Sequence, residues 1–72
     1  MHMNTRILEA IGKYVDANYL TRYEVEGYFG FAYLKVPTGE GSIIVWEFFI
    51  DSNNELQRVE RDSSQYRLST HI

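Results

Sequence analysis

The chain has no cysteine, a single proline and no long apolar run among its 72 residues. Without cysteine it can form neither a disulfide nor a thiolate metal site. A stretch of about 18 apolar residues, which a membrane-spanning helix needs, is absent, and so is a basic-then-apolar signal peptide. These absences lead us to expect one cytoplasmic domain without metal or cofactor.

Aromatic residues are what the chain has in excess, with six tyrosines, four phenylalanines and one tryptophan. A domain this small buries only about 60% of the surface that its unfolded chain exposes. Seven basic and ten acidic residues leave a formal net charge of -3. This balance disfavours binding to a polyanion such as nucleic acid, except at a local basic patch. The aromatic side chains therefore need a core or a partner protein to cover them.

Residues 5–19 place apolar side chains three and four positions apart, which predicts one amphipathic helix. Asn4 or Thr5 can cap its first turn by accepting hydrogen bonds from free backbone amides. Gly12 weakens a helix by up to about 1 kcal/mol relative to alanine, and we interpret it as a point of close packing. The predicted apolar stripe consists of Ile7, Leu8, Ile11, Tyr14, Val15, Asn18 and Tyr19.

After this helix the apolar period becomes two, which is typical of antiparallel strands. Pro37 and two glycines favour a turn at 37–41, and a tight turn is predicted at Glu26-Gly27. The predicted strands span residues 21–26, 28–36, 42–50, 55–61 and 65–71. The sequence thus predicts an α+β domain, with one N-terminal helix on one face of a four- to five-stranded antiparallel meander.

The two central strands carry large apolar side chains on both faces. Pairing Val36 with Ser42 across the central turn assigns one set of side chains to the face under the helix. This set contains Tyr23, Val25, Tyr28, Gly30, Ala32, Leu34, Ile44, Trp46, Phe48 and Ile50. A helix about 10 Å wide covers two to three strands on one face only. The opposite face then needs a second copy, another protein or curling of the sheet to cover it.

We expect a non-enzymatic protein-interaction module that forms a homodimer through this opposite face, or that binds another protein there. Glu47 would set the register between two copies or give specificity to a foreign contact. Small acidic chains of this kind are common among regulators and among inhibitors carried by phages and mobile elements. The predicted contact residues are Phe29, Phe31, Tyr33, Ile43, Val45, Phe49 and Glu47, with Arg22 and Lys35 at the rim.

Two binding alternatives follow from the aromatic residues. Residues 26–31, EGYFGF, resemble the aromatic motif of RNA-recognition domains, with Phe29 inserted and Glu26 in its basic position. That resemblance implies stacking of single-stranded nucleic-acid bases on the aromatic face. The other alternative is a small-ligand cup between helix and sheet, lined by Tyr14, Tyr19, Trp46 and Phe48.

Catalysis has little support in the sequence. His2 and His71 lie beside the two ends, and neither has a carboxylate and a nucleophile in a catalytic pattern. No metal-ligand spacing occurs, and no glycine-rich loop joins a strand to a helix. We therefore expect no catalytic residue.

Overall fold

The computed structural model describes residues 4–69, and the expectations for His2 and His71 lie outside them. The elements are α1 (Thr5–Ala17), β1 (Glu24–Gly27), β2 (Phe31–Pro37), β3 (Ile43–Ile50), β4 (Leu56–Arg61) and a short 3-10 helix (Ser63–Gln65). The four strands form an open antiparallel sheet in the order β1-β2-β3-β4. The predicted α+β meander is confirmed, with four strands in the described part of the chain.

The start of α1 follows its capping chemistry. The Asn4 side chain accepts hydrogen bonds from the backbone amides of Arg6, at 2.8 Å, and Ile7, at 3.4 Å. The buried stripe of the helix consists of Ile7, Ile11 and Val15. Gly12 is exposed, and a Cβ placed there would meet no atom within 4 Å. The interpretation of Gly12 as a point of close packing was therefore wrong.

The end of α1 comes two residues earlier than predicted. Tyr19 follows the helix with a φ of 54°, and the Leu20 amide closes the end by donating to the Val15 carbonyl at 3.0 Å. A positive φ directly after a helix turns the chain away from its axis. Tyr19 is 89% exposed as a result, although the sequence pattern placed it on the buried stripe.

The central hairpin has the predicted turn but a different register. Gly39 and Gly41 adopt φ values of 88° and 85°, and the Thr38 amide donates to the Ser42 carbonyl at 3.0 Å. Val36 therefore pairs with Ile44 rather than with Ser42. Because side chains alternate along a strand, a shift of two residues leaves each one on its predicted face.

The preceding turn was placed too early. The strand β1 continues through Gly27, and the Tyr28 amide donates to the Phe31 carbonyl at 2.8 Å, so the chain reverses at residues 29–30. Tyr28 consequently leaves the helix side, and its ring stacks on Phe31 with centroids 4.8 Å apart.

The core lies between α1 and one face of the sheet, which we call the helix face. Its buried members are Ile7, Ile11, Val15, Ala32, Leu34 and Phe48. Tyr14 fills the space beside them, with its ring 5.8 Å from that of Trp46 and 6.0 Å from that of Phe48. Tyr23 and Ile44, which were expected under the helix, are each 40% exposed.

The fifth predicted strand does not form within the described residues. The first residue of that predicted strand, Gln65, is the last residue of the 3-10 helix. Asp62 caps this helix, because its side chain accepts a hydrogen bond from the Ser64 amide at 3.1 Å. Residues 66–69 have no regular secondary structure. We call residues 62–69 the C-terminal strap, because they lie along the second face of the sheet.

Candidate protein-interaction surface

The second face of the sheet, called the far face below, is formed by the alternate residues of each strand. From β1 to β4 these are Glu24, Glu26, Phe31, Tyr33, Lys35, Pro37, Ile43, Val45, Glu47, Phe49, Gln57, Val59 and Arg61. The strap crosses one half of this face and leaves the other half open. All the predicted contact residues lie here except Phe29, which is in the turn before β2, and rim residue Arg22, which precedes β1.

The strap contacts the far face at three successive positions. The Tyr66 ring lies 4.8 Å from that of Tyr33, and the Lys35 ammonium donates to the Arg67 carbonyl at 2.7 Å. Farther along, the Ser69 amide donates to the Glu24 carboxylate at 2.8 Å. The expectation that this chain offers no cover for its far face was therefore wrong.

The strap decides which predicted contact residues a partner can reach. Val45 is completely buried and Lys35 is 3% exposed, so Lys35 lies at the centre of the covered half rather than at a rim. Tyr33, Ile43 and Glu47 are half-buried, and Arg22 is exposed. The predicted surface is thus split, and only part of it faces solvent.

A buried ammonium holds the covered half together. Lys35 Nζ lies 2.6 Å from Glu26 Oε1 and 3.8 Å from Glu24 Oε2. The hydrogen bond from Lys35, together with one from the Tyr28 hydroxyl, holds the pKa of Glu26 below its ordinary value. The same contact with Glu26 raises the pKa of Tyr28. A buried charge is tolerated when it is paired and hydrogen-bonded, as this one is.

Glu47 has a partner on the neighbouring strand. Arg61 donates from Nε and Nη2 to Glu47 Oε1, both at 2.7 Å, and this contact raises the pKa of Arg61. Beside this pair, the Tyr66 hydroxyl and partial burial raise the pKa of Tyr33 to about 12. Polar contacts therefore extend across the covered half.

The half of the far face that the strap does not cross is aromatic, and its side chains Phe31 and Phe49 are half-buried. We call Tyr28, Phe29, Phe31 and Phe49 the aromatic patch. Phe29 is 85% exposed in the turn between β1 and β2, while Tyr28 stacks on Phe31 at an interplanar angle of 15°. Phe31 is the cross-strand neighbour of Phe49. Two of the predicted contact residues, Phe31 and Phe49, thus come together here, Tyr28 joins them, and Phe29 lies in the adjoining turn.

Sequence reasoning missed Tyr28 and the strap. Tyr28 was misplaced because the turn lies three residues later than predicted. A signal for the strap was present in Asp62-Ser63-Ser64, because aspartate and serine side chains favour local caps over a strand. The alternation of Tyr66 and Leu68 was read as a strand instead.

The two binding alternatives can be compared with this geometry. The Tyr14 ring contacts those of Trp46 and Phe48, which closes part of the expected ligand cup. An open groove of about 400 Å³ remains between α1 and β4, lined by Tyr14, Phe48 and Arg58 among others. Nucleic-acid binding would use Arg22 and Lys35 to attract phosphates. Lys35 is instead buried and paired with Glu26. The nucleic-acid alternative therefore gains no observation in its favour, whereas the ligand-cup alternative keeps the groove beside Tyr14 and Phe48.

Residues 4–69 contain neither a metal cluster nor a membrane-spanning helix. No three histidine, cysteine, aspartate or glutamate side chains in that range lie where they could share a metal ion. The same residues contain no helix long and apolar enough to cross a membrane. Comparison of the chain with family models, curated proteins and solved structures found no match.

Proposed function

We propose that this chain is a small non-enzymatic protein-interaction module, and that it docks an apolar segment of another protein on the aromatic patch. The observation that carries the proposal is the 85% exposure of Phe29 next to the stacked rings of Tyr28 and Phe31. Aromatic side chains are enriched among the residues that supply most of the energy of a protein interface. An exposed phenylalanine beside two ordered rings is suited to that role.

The size of the patch favours a narrow contact. A stable interface of standard size takes about 800 Å² from each partner. With Val45 and Lys35 under the strap, the four side chains of the patch supply only part of such an area. A peptide-like segment with one or two apolar anchors therefore fits this surface better than the broad two-fold contact expected from the sequence.

The charges around the patch favour a partner that differs from this chain. The Glu26 side chain is 36% exposed on one side. On the other side Asp51 accepts a hydrogen bond from Gln57, the cross-strand neighbour of Phe49. Two copies placed patch to patch would bring these carboxylates together, which is unfavourable. A segment that carries lysine or arginine beside its apolar anchors would complement them.

Selection from a random peptide library displayed on phage tests the proposal. We expect wild type to enrich peptides that combine aromatic or aliphatic anchors with basic residues. Binding of these peptides should fall at least about tenfold in Phe29→Asp, which removes an anchor and adds a repelling charge. The matched control is Tyr19→Asp, because Tyr19 is 89% exposed but follows α1 instead of joining two strands. The proposal would be overturned if both variants lost peptide binding equally, or if no selected peptide bound wild type saturably.

Sedimentation equilibrium distinguishes a second copy of this chain from another protein as the molecule that binds the aromatic patch. If wild type dimerises and Phe29→Asp alone makes it monomeric, the patch binds a second copy, as the sequence led us to expect. If Phe29→Asp leaves the oligomeric state unchanged while peptide binding is lost, the occupant is another protein.

A further inference from the structure

The outer edge of β4 has backbone groups that point away from the sheet. At the turn before β4, the Asp51 amide donates to the Glu55 carbonyl at 2.9 Å, so these two residues form a hydrogen-bonded pair. In an antiparallel ladder such pairs alternate with non-bonded pairs. Residues 57, 59 and 61 therefore bond to β3, whereas Leu56, Arg58 and Glu60 direct their amides and carbonyls outward.

This edge is open within the described part of the chain. The side chains of Leu56, Arg58 and Glu60 are exposed, and no backbone bond from residues 4–69 reaches these three positions from another element. The strand is six residues long and contains no proline. Proteins usually protect such an edge, since it is a template for pairing with another chain. The opposite edge strand, β1, is only four residues long.

We infer that β4 pairs with β4 of a second copy, in antiparallel orientation about a two-fold axis at Val59. Outward-facing residues must lie opposite outward-facing residues, which limits the symmetric registers to those centred on a residue. A centre at Arg58 places arginine against arginine, and one at Glu60 places glutamate against glutamate. A centre at Val59 places Arg58 of each copy opposite Glu60 of the other, so both charge pairs are attractive.

The same register suits both faces of the joined sheets. On the helix side, Arg58 is already held in place, because its guanidinium lies 4.5 Å from the centre of the Tyr14 ring and 4.8 Å from that of Trp46. Ordering before binding lowers the entropy lost on association. On the far side, Val59 meets its own symmetry mate, and Gln57 lies opposite Arg61. Each facing Arg58 and Glu60 exchange both of their backbone hydrogen bonds.

The pairing gives the aromatic patch a second copy of itself without covering it. The two four-stranded sheets would continue into one another, and each copy would keep its own patch exposed. A two-fold module with two docking surfaces binds a two-sited partner more tightly than one copy does, provided the spacing matches. The inference stands independently of the proposed function, since it uses a different surface.

Sedimentation equilibrium of charge-reversed variants tests the register. Wild type should dimerise at micromolar concentrations. Glu60→Arg places arginines opposite one another at both symmetric positions, and we expect the dimer dissociation constant to rise about tenfold or more. The double variant Arg58→Glu/Glu60→Arg restores opposite charges across the axis, so it should recover most of the dimer. A merely local role of Glu60 would not be rescued by a change at Arg58.

A second variant covers the case in which the double variant fails to fold. Glu60→Pro removes an outward amide that makes no bond to β3, and proline is tolerated on an edge strand in this orientation. It should be monomeric with an unchanged circular dichroism spectrum and should still bind the library peptides. Phe29→Asp should have the converse phenotype, remaining dimeric without peptide binding. A monomeric wild type at high micromolar concentration, or a Glu60→Pro variant that dimerises normally, would overturn the inference.

Discussion

The two faces of the sheet are covered in different ways. Leu34 and Val45 are both completely buried, but Leu34 lies in the apolar cluster under α1, whereas Val45 lies on the far face, which the strap crosses. The helix covers its face mainly with aliphatic side chains that repeat every turn. The strap is held mainly by polar groups, namely the Lys35 ammonium, the Glu24 carboxylate and the hydroxyl of Tyr66.

This difference implies unequal local stability. Apolar packing resists local opening, because separating the surfaces exposes a large apolar area at once. A segment without regular structure that is held by a few polar contacts opens at lower free energy. The far face is therefore expected to be the first region of the domain to lose its cover.

The largest effect should come from a cavity on the helix face. Leu34→Ala removes a completely buried side chain and should lower the free energy of unfolding by about 2–5 kcal/mol. Val45→Ala deletes fewer atoms under a less rigid cover and should lower it by about 1–3 kcal/mol. Urea denaturation followed by tryptophan fluorescence measures both, with Phe29→Ala as an exposed control expected within about 0.5 kcal/mol of wild type. A Val45→Ala loss as large as that of Leu34→Ala would contradict the comparison.

A smaller and more local effect is expected at Lys35. Lys35→Met keeps most of the length of the side chain but leaves the Arg67 carbonyl without its donor and Glu26 without its ion-pair partner, which should cost about 1–3 kcal/mol. The Ser69 amide donates to Glu24. The change should speed hydrogen exchange of this amide more than it speeds exchange of the amides in α1. Equal acceleration in α1 and at Ser69 would show that the strap does not open separately.

The difference between wild type and Lys35→Met should depend on pH in a defined direction. The pKa of Glu26 is lowered in the folded protein, chiefly by its bond from Lys35, so this carboxylate stabilises the fold above its ordinary pKa of 4.5. That contribution is lost as the pH falls through the lowered folded value. Urea titrations between neutral and acid pH should show the two proteins converging, and a constant difference would exclude Glu26 as the cause.

The helix, the strands and the faces of the central hairpin could be predicted because each depends on local spacing. Period 3.6 predicted α1, and period two assigned Leu34 and Val45 to opposite faces correctly despite the shifted register. The apolar side chains expected on the far face meet different environments there, since Val45 is buried and Phe31 and Phe49 are half-buried, while Phe29 in the adjoining turn is exposed.

The strap could not be predicted from the same signals. Tyr66 and Leu68 alternate as they would in a strand, but the path of this segment is set by contacts with residues more than thirty positions away, including Lys35 and Glu24. Such contacts leave no periodic trace in a sequence. Tyr28 shows that a local error also matters, because a turn displaced by three residues was enough to move its ring from the helix face to the far face.

The smallest expected change in stability comes from a substitution in α1, which covers only the helix face. Gly12→Ala should raise the free energy of unfolding by about 0.5–1 kcal/mol, since the position is exposed, lies inside α1 and has room for a Cβ. The strap contacts Tyr33, Lys35 and Glu24 on the far face, opposite α1. Hydrogen exchange of the Ser69 amide through local opening of the strap should therefore be unchanged. Gly39→Ala is the control, since its φ of 88° disfavours any Cβ and the variant should be destabilised. If Gly12→Ala also slowed local exchange at Ser69, the two covers would be coupled through the sheet rather than independent.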